Sequence, residues 1–115
     1  MSRCGDLLVL GAPFDRVIRE AAVVLEDRVR GAVGGSERVG VPLMEFAFSA
    51  ESPKLRLSKN KREQLGAMQL YVGVMAFFRN PAGHILNDDY TREDAVQFIA
   101  MVDLLLGLLG RAERP

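Results

Sequence analysis

The chain has 115 residues, of which 49% are hydrophobic, and its fifteen Lys and Arg side chains balance fifteen Asp and Glu. That length fits one domain with a modest core, and the even charge excludes a globally basic nucleic-acid binder, so any such contact must be local. The single cysteine, Cys4, excludes an intramolecular disulfide framework and a cysteine zinc cluster, and reads as a free thiol in a reducing compartment.

No segment reads as a targeting or membrane-spanning element. The apolar run at 7–10 is too short for a signal-peptide core. The longest apolar stretch, 95–109, is interrupted by Gln97 and Asp103 and falls short of the ~20 residues that a bilayer span needs. A cytoplasmic location is expected, with no membrane partner. One domain is expected over residues 1–115, with its core at about 13–110.

Four helices are predicted and no strand. The first covers about 13–32, with Pro13 suited to a first helical position. Phe14, Val17, Ile18, Ala21, Ala22, Leu25 and Val29 recur at helical spacing, and Gly31, Gly34 and Gly35 stop the helix. Glu26 lies in this otherwise apolar turn. It suits either an exposed helical face or a pair with Arg79 across the bundle. The second helix covers about 42–48, anchored by Leu43, Met44, Phe46 and Phe48. In the connection 49–58, Leu55 and Leu57 alternate with Lys54, Arg56 and Ser58, which suits a locally extended segment.

The third helix covers about 61–79, with Asn60 and Glu63 at capping-box spacing. Leu65, Met68, Val72 and Met75 form its expected seam, and Ala67, Leu70, Tyr71, Val74, Phe77 and Phe78 widen it. The fourth covers about 92–109, opened by Thr91 with Asp94. Its expected stripe is Val96, Ile99, Val102, Leu106 and Leu109, and residues 111–115 read as a frayed tail. The third and fourth helices are apolar over more surface than four helices can enclose. The surplus predicts a partner surface, most simply a symmetric dimer. Gly66 and Gly73 lie on one face of the third helix and suit close helix approach, between chains or within this one.

Between these helices lies Arg79-Asn80-Pro81-Ala82-Gly83-His84, which holds the chain's only histidine. Histidine titrates near neutral pH, and arginine is a permanent forked phosphate ligand. In an unbroken helix, residues five apart would point ~140° away from each other. Asn80-Pro81 removes that constraint and Gly83 frees the backbone, so both side chains can reach one cleft. The same run also reads as ordinary helix-stop chemistry followed by a loop histidine.

Residues 15–109 resemble the Ymh family, a branch of the HEPN superfamily of helical domains. Four blocks carry the resemblance, in the family's order. They are Ala21-Ala22 to Leu25-Glu26 with Val29-Arg30; Gly40, Leu43-Met44 and Ala47-Phe48; Gln64 and Gly66 with Gly73; and Arg79-Asn80-Pro81 with His84. Family members often carry alanine directly before the histidine, where this chain has Gly83.

The resemblance implies an all-α, up-and-down bundle that dimerises so that both Arg79…His84 motifs meet. Many HEPN domains are metal-independent endoribonucleases of defence or toxin–antitoxin systems, and others are inactive binding modules. It therefore implies catalytic roles for Arg79, Asn80 and His84, an RNA substrate, an antitoxin or regulatory protein as a possible partner, and no cofactor or metal.

Lys54, Arg56, Lys59, Lys61 and Arg62 form a basic cluster that can track an RNA backbone, with Tyr71 as a nearby stacking aromatic, or can simply be a solvated linker. Asp88, Asp89, Glu93 and Asp94 can tune the histidine or only start the last helix. Three functions remain open on these residues. One is endoribonuclease; another is a non-catalytic dimeric module binding RNA, nucleotide or protein. A subunit of a larger assembly is a third.

Overall fold

The computed structural model describes residues 14–79 and 90–115. The expectations for Cys4, Pro13, Asn80, Gly83, His84, Asp88 and Asp89 lie outside the described residues. Among those described, the chain is all-helical: α1 (Phe14–Ala32), α2 (Gly40–Phe48), α3 (Lys61–Val74) continued by a π-helical turn (Met75–Arg79), and α4 (Arg92–Leu109). None of these helices is long and apolar enough to cross a membrane.

The stripe expected on α1 is the centre of the core. Val17, Ile18, Ala21, Ala22, Leu25 and Val29 are buried, and each larger aliphatic contributes roughly 1.5–3 kcal/mol by leaving water. α1 packs most extensively against α4, and α2 against α3. The π turn packs on both α1 and α2, which carries the end of the third helix onto the start of the second.

Two expected faces need correcting, in the same sense, although Met75, Ile99 and Val102 are buried as expected. On α3 the inward residues are Gln64, Tyr71 and Val74, followed by Met75 in the π turn, while Leu65 is 41% exposed. The seam is displaced by about one position, or ~100° of rotation. Tyr71 explains the direction. Its ring stacks on Phe48 at 4.2 Å and its hydroxyl donates to the Leu105 carbonyl at 2.8 Å. On α4 the inward residues are Ala95, Phe98, Ile99, Val102 and Leu105, and Val96 is exposed. Phe98 is drawn in by Phe78, whose ring centroid is 4.4 Å away. When a helix is apolar on several sides, periodicity cannot choose among them, and specific partners do.

The helix starts agree with expectation in one case and differ in the other. At α4 the capping box is complete: Asp94 N–H donates to Thr91 Oγ1 and Thr91 N–H to Asp94 Oδ2. At α3, Asn60 Oδ1 accepts from the N–H groups of Arg62 and Glu63, but Glu63 does not reach back. Its carboxylate instead accepts from Ser58 Oγ, which itself accepts from Asn60 N–H. Helix α2 begins at Gly40, two residues earlier than expected.

The tail is pinned rather than frayed. Arg56 and Glu113 exchange both backbone hydrogen bonds, at 2.7 and 2.9 Å, in an isolated antiparallel bridge. Arg56 Nη2 adds a bond to Glu113 Oε2 at 3.0 Å. That bond holds the Glu113 carboxyl below its usual range. The local extension expected around Leu55–Leu57 is therefore real, with Leu55 buried beneath it.

Candidate functional site

Glu26 lies on the buried side of α1, at 2% exposure, although most carboxylates stay in water. Burying a charge is costly unless it is paired and hydrogen-bonded. Here both carboxylate oxygens are used. Oε1 accepts from Arg79 Nε at 3.1 Å. Oε2 accepts from the backbone N–H of Gly40, the first residue of α2. Arg30 Nη2 lies 3.9 Å from Oε2, while its Nη1 is 2.7 Å from Asp27 and Nη2 also donates to the Arg38 carbonyl. Of the two readings open for Glu26, the cross-bundle pair is the one that forms.

The backbone makes this arrangement possible. Gly40 has φ +56°, a left-handed conformation that side chains disfavour, so glycine suits the position that hands its N–H to Glu26. A free N–H at a helix start also carries the positive end of the helix dipole, which favours the carboxylate further. On the other side, the π turn carries Arg79 over α1 and α2. Single π turns inside helices recur at functional sites.

Arg79 is therefore neither solvated nor enclosed; its side chain is 25% exposed. It lines a cleft of about 470 Å³ with Val39, Gly40, Val41, Pro42, Met75 and Ala76. Among the described residues Arg79 is the cleft's one charged group, and the other described walls are apolar. A guanidinium so placed can meet an oxyanion entering from the cleft.

The basic cluster stands apart from this cleft. Arg62 and Arg79 sit at opposite ends of one continuous helical rod, ~25 Å apart at 1.5 Å per residue. Arg56 is committed to Glu113, and Lys61 lies 3.7 Å from Glu51. Lys54 stands over the Phe46 ring, which Arg38 also covers at 3.8 Å. Lys59 and Arg62 are exposed and make no ion pair among the described residues. Tyr71 is not available for stacking on RNA, because it is fully buried and its phenol is pushed up to about 12 by desolvation. Among the described residues no group of three or more His, Cys, Asp or Glu side chains could hold a metal ion.

A family model described as "Protein of unknown function (Hypoth_ymh)" matches residues 1–109. The chain belongs to the Hypoth_ymh family. No curated protein and no solved structure matches it. The four blocks that resemble the family take different parts in this Ymh-family structure. Glu26, Gly40 and Arg79 converge on one carboxylate. Gln64 serves the core instead: its amide accepts from the N–H groups of Leu57 and Ser58 and donates to the carbonyls of Phe48 and Leu55.

Gly66 and Gly73 serve neither. Both are exposed, and a Cβ at either would meet nothing within 4 Å. Sequence reasoning missed the bond from Gly40 to Glu26; its signal was an acid on the apolar stripe of the first helix.

Proposed function

We propose that this Ymh-family chain is a metal-independent endoribonuclease of the HEPN type that works as a homodimer. The observation that carries this reading is Arg79. Its guanidinium is braced by a buried carboxylate at the edge of a cleft, directly before the Asn80-Pro81…His84 segment. In the proposed reaction, His84 of one protomer takes the proton from a ribose 2′-OH. The 2′-oxygen attacks the adjacent phosphorus, and the P–O5′ bond breaks. The leaving 5′-oxygen takes a proton from His84 of the partner. Arg79 binds the phosphate and stabilises the charge that develops on its oxygens, and Asn80 orients His84 or donates to the phosphate. The products are a 2′,3′-cyclic phosphate and a 5′-OH, and DNA, lacking the 2′-OH, is not cut by this route.

The dimer is supported by apolar surface left on α3, its π turn and α4. Leu70, Phe77 and Leu104 are 47%, 61% and 59% exposed. From Gln64 to Phe78 the rod has no charged residue, and Gly66, Leu70, Gly73 and Phe77 recur along its open side. A face without charge meets its own two-fold copy without like-charge repulsion, which suits a two-fold interface. Of the basic cluster, Lys59 and Arg62 would track the RNA backbone beyond the cut, and Lys54, Arg56 and Lys61 would join them by exchanging their intrachain contacts for phosphates.

The test is RNA cleavage in EDTA by wild type, His84→Ala and Arg79→Ala, with product ends analysed. Cyclic-phosphate ends from wild type alone support the proposal, and full cleavage by either variant refutes it. Sedimentation of wild type and Leu70→Glu tests the dimer, which the charge should split. The second reading is a non-catalytic dimeric module binding RNA, nucleotide or protein; Arg56 and Lys61, which already pair within the chain, favour its protein-binding form.

A further inference from the structure

Resting on the nuclease reading above, we infer that Glu26 is the positioning residue of the site, holding the Arg79 guanidinium in its working orientation without cancelling its charge. The geometry supplies both halves. Glu26 contacts Arg79 through Nε alone, at 3.1 Å. The Nη groups, which make the forked approach to a phosphate, take no part in that bond. Glu26 is 2% exposed and fixed at its other oxygen by Gly40, so it is a rigid brace rather than a mobile counter-ion.

Charge is shared in a way that favours catalysis. A carboxylate facing only Arg79 would neutralise it and compete with phosphate. Here the carboxylate also receives the Gly40 N–H, the positive end of α2 and Arg30 at 3.9 Å. Arg79 is therefore not the sole compensation for the buried charge.

The brace has a strict chemical requirement. Two donors, Arg79 Nε and Gly40 N, converge on two oxygens of one side chain. Glutamine offers a single acceptor oxygen, so Glu26→Gln must leave one donor facing an NH₂ group. Aspartate keeps the charge but is one methylene too short to span both partners.

The experiment pairs a structural readout with a kinetic one on the full chain. The first is the ¹⁵N–¹H resonance of Arg79 Nε, identified by its absence in Arg79→Lys. The second is kcat and KM for RNA cleavage in EDTA. Tyr71→Phe, which does not line the cleft and loses only the hydroxyl bond to the Leu105 carbonyl, serves as a destabilised control. In wild type the Nε–H should exchange slowly. In Glu26→Gln it should be lost to exchange, and kcat should fall by about 10- to 100-fold with KM within threefold. Tyr71→Phe should keep its kcat. Should Glu26→Gln fail to fold, Glu26→Asp takes its place, with a smaller loss of kcat expected.

An unchanged kcat in the Glu26 variant, or a loss confined to KM, overturns the positioning role while the nuclease reading stands. An unchanged Nε resonance overturns it as well. Wild type that cleaves no RNA removes the nuclease reading and this role with it.

Discussion

Among the described residues two polar side chains, Glu26 and Gln64, are buried to 2%, and they are used in opposite ways. Gln64, on α3, is neutral, and all four of its hydrogen bonds end on backbone groups of residues 48–58. It closes the irregular connection between α2 and α3, with no bond left to offer. Glu26, on α1, is charged, and its main partner is a side chain that borders a cleft. A saturated neutral amide fixes a fold. A buried charge whose partner reaches solvent holds a group in readiness, and this difference directs attention to the Arg79 end of the molecule.

The sharpest way to break the comparison is Gln64→Leu. Leucine fills the space but orphans two N–H and two C=O groups, so stability should fall by about 3 kcal/mol in urea unfolding. A loss below about 1 kcal/mol would mean that water replaces the amide, and that Gln64 is not a staple.

The next effect belongs to Tyr71, in the same region. Burial raises its phenol from 10.0 to about 12, so the folded state holds its proton more tightly than the unfolded one. The resulting stability is complete below pH 10 and is lost as pH rises toward 12, by about 2.5 kcal/mol across those two units. Unfolding measured between pH 9 and 12 should show this slope, and Tyr71→Phe should flatten it.

At the other end, Glu26→Ala should cost about 2 kcal/mol, below the figure for a fully buried pair because Arg79 is partly solvated. With Arg79→Ala added, the double variant should be more stable than the two single losses summed. Strict additivity would show that the pair is not coupled. The smallest effect tests the corrected face of α3. Leu65→Gln should change stability by less than about 0.5 kcal/mol, because Leu65 is 41% exposed. A large loss would restore the face that periodicity suggested.

Much of the architecture was legible in the residues. Helix α1 has one apolar stripe and one polar side, so its inward face could be read directly. Helices α3 and α4 are apolar around most of their circumference, and there the expected faces were off by about one position. The cause is particular: Tyr71 finds Phe48 and the Leu105 carbonyl, and Phe98 finds Phe78. The tail's pinning has no local signature for a similar reason, since the bridge between Arg56 and Glu113 spans 57 residues.

Within the candidate site, Arg79 was legible because arginine before Asn-Pro at the end of an apolar helix is conspicuous. Glu26 could be named but not assigned, as an acid on an apolar stripe is either exposed by rotation or buried with a cation. The link through Gly40 showed only on the acceptor side, as an acid on an apolar stripe, because a backbone N–H is the same in every sequence.

The sequence by itself determined that the described residues form four helices, where these lie to within about two residues, and that two of them carry more apolar surface than the bundle encloses. Those properties follow from spacing, capping and composition, which act over a few residues. Only the tertiary structure decided which faces turn inward, that Tyr71 and Gln64 belong to the core, and that Glu26 joins Arg79 to the start of α2. Those outcomes depend on hydrogen bonds and ring contacts between residues distant in the chain, formed only once the helices have packed.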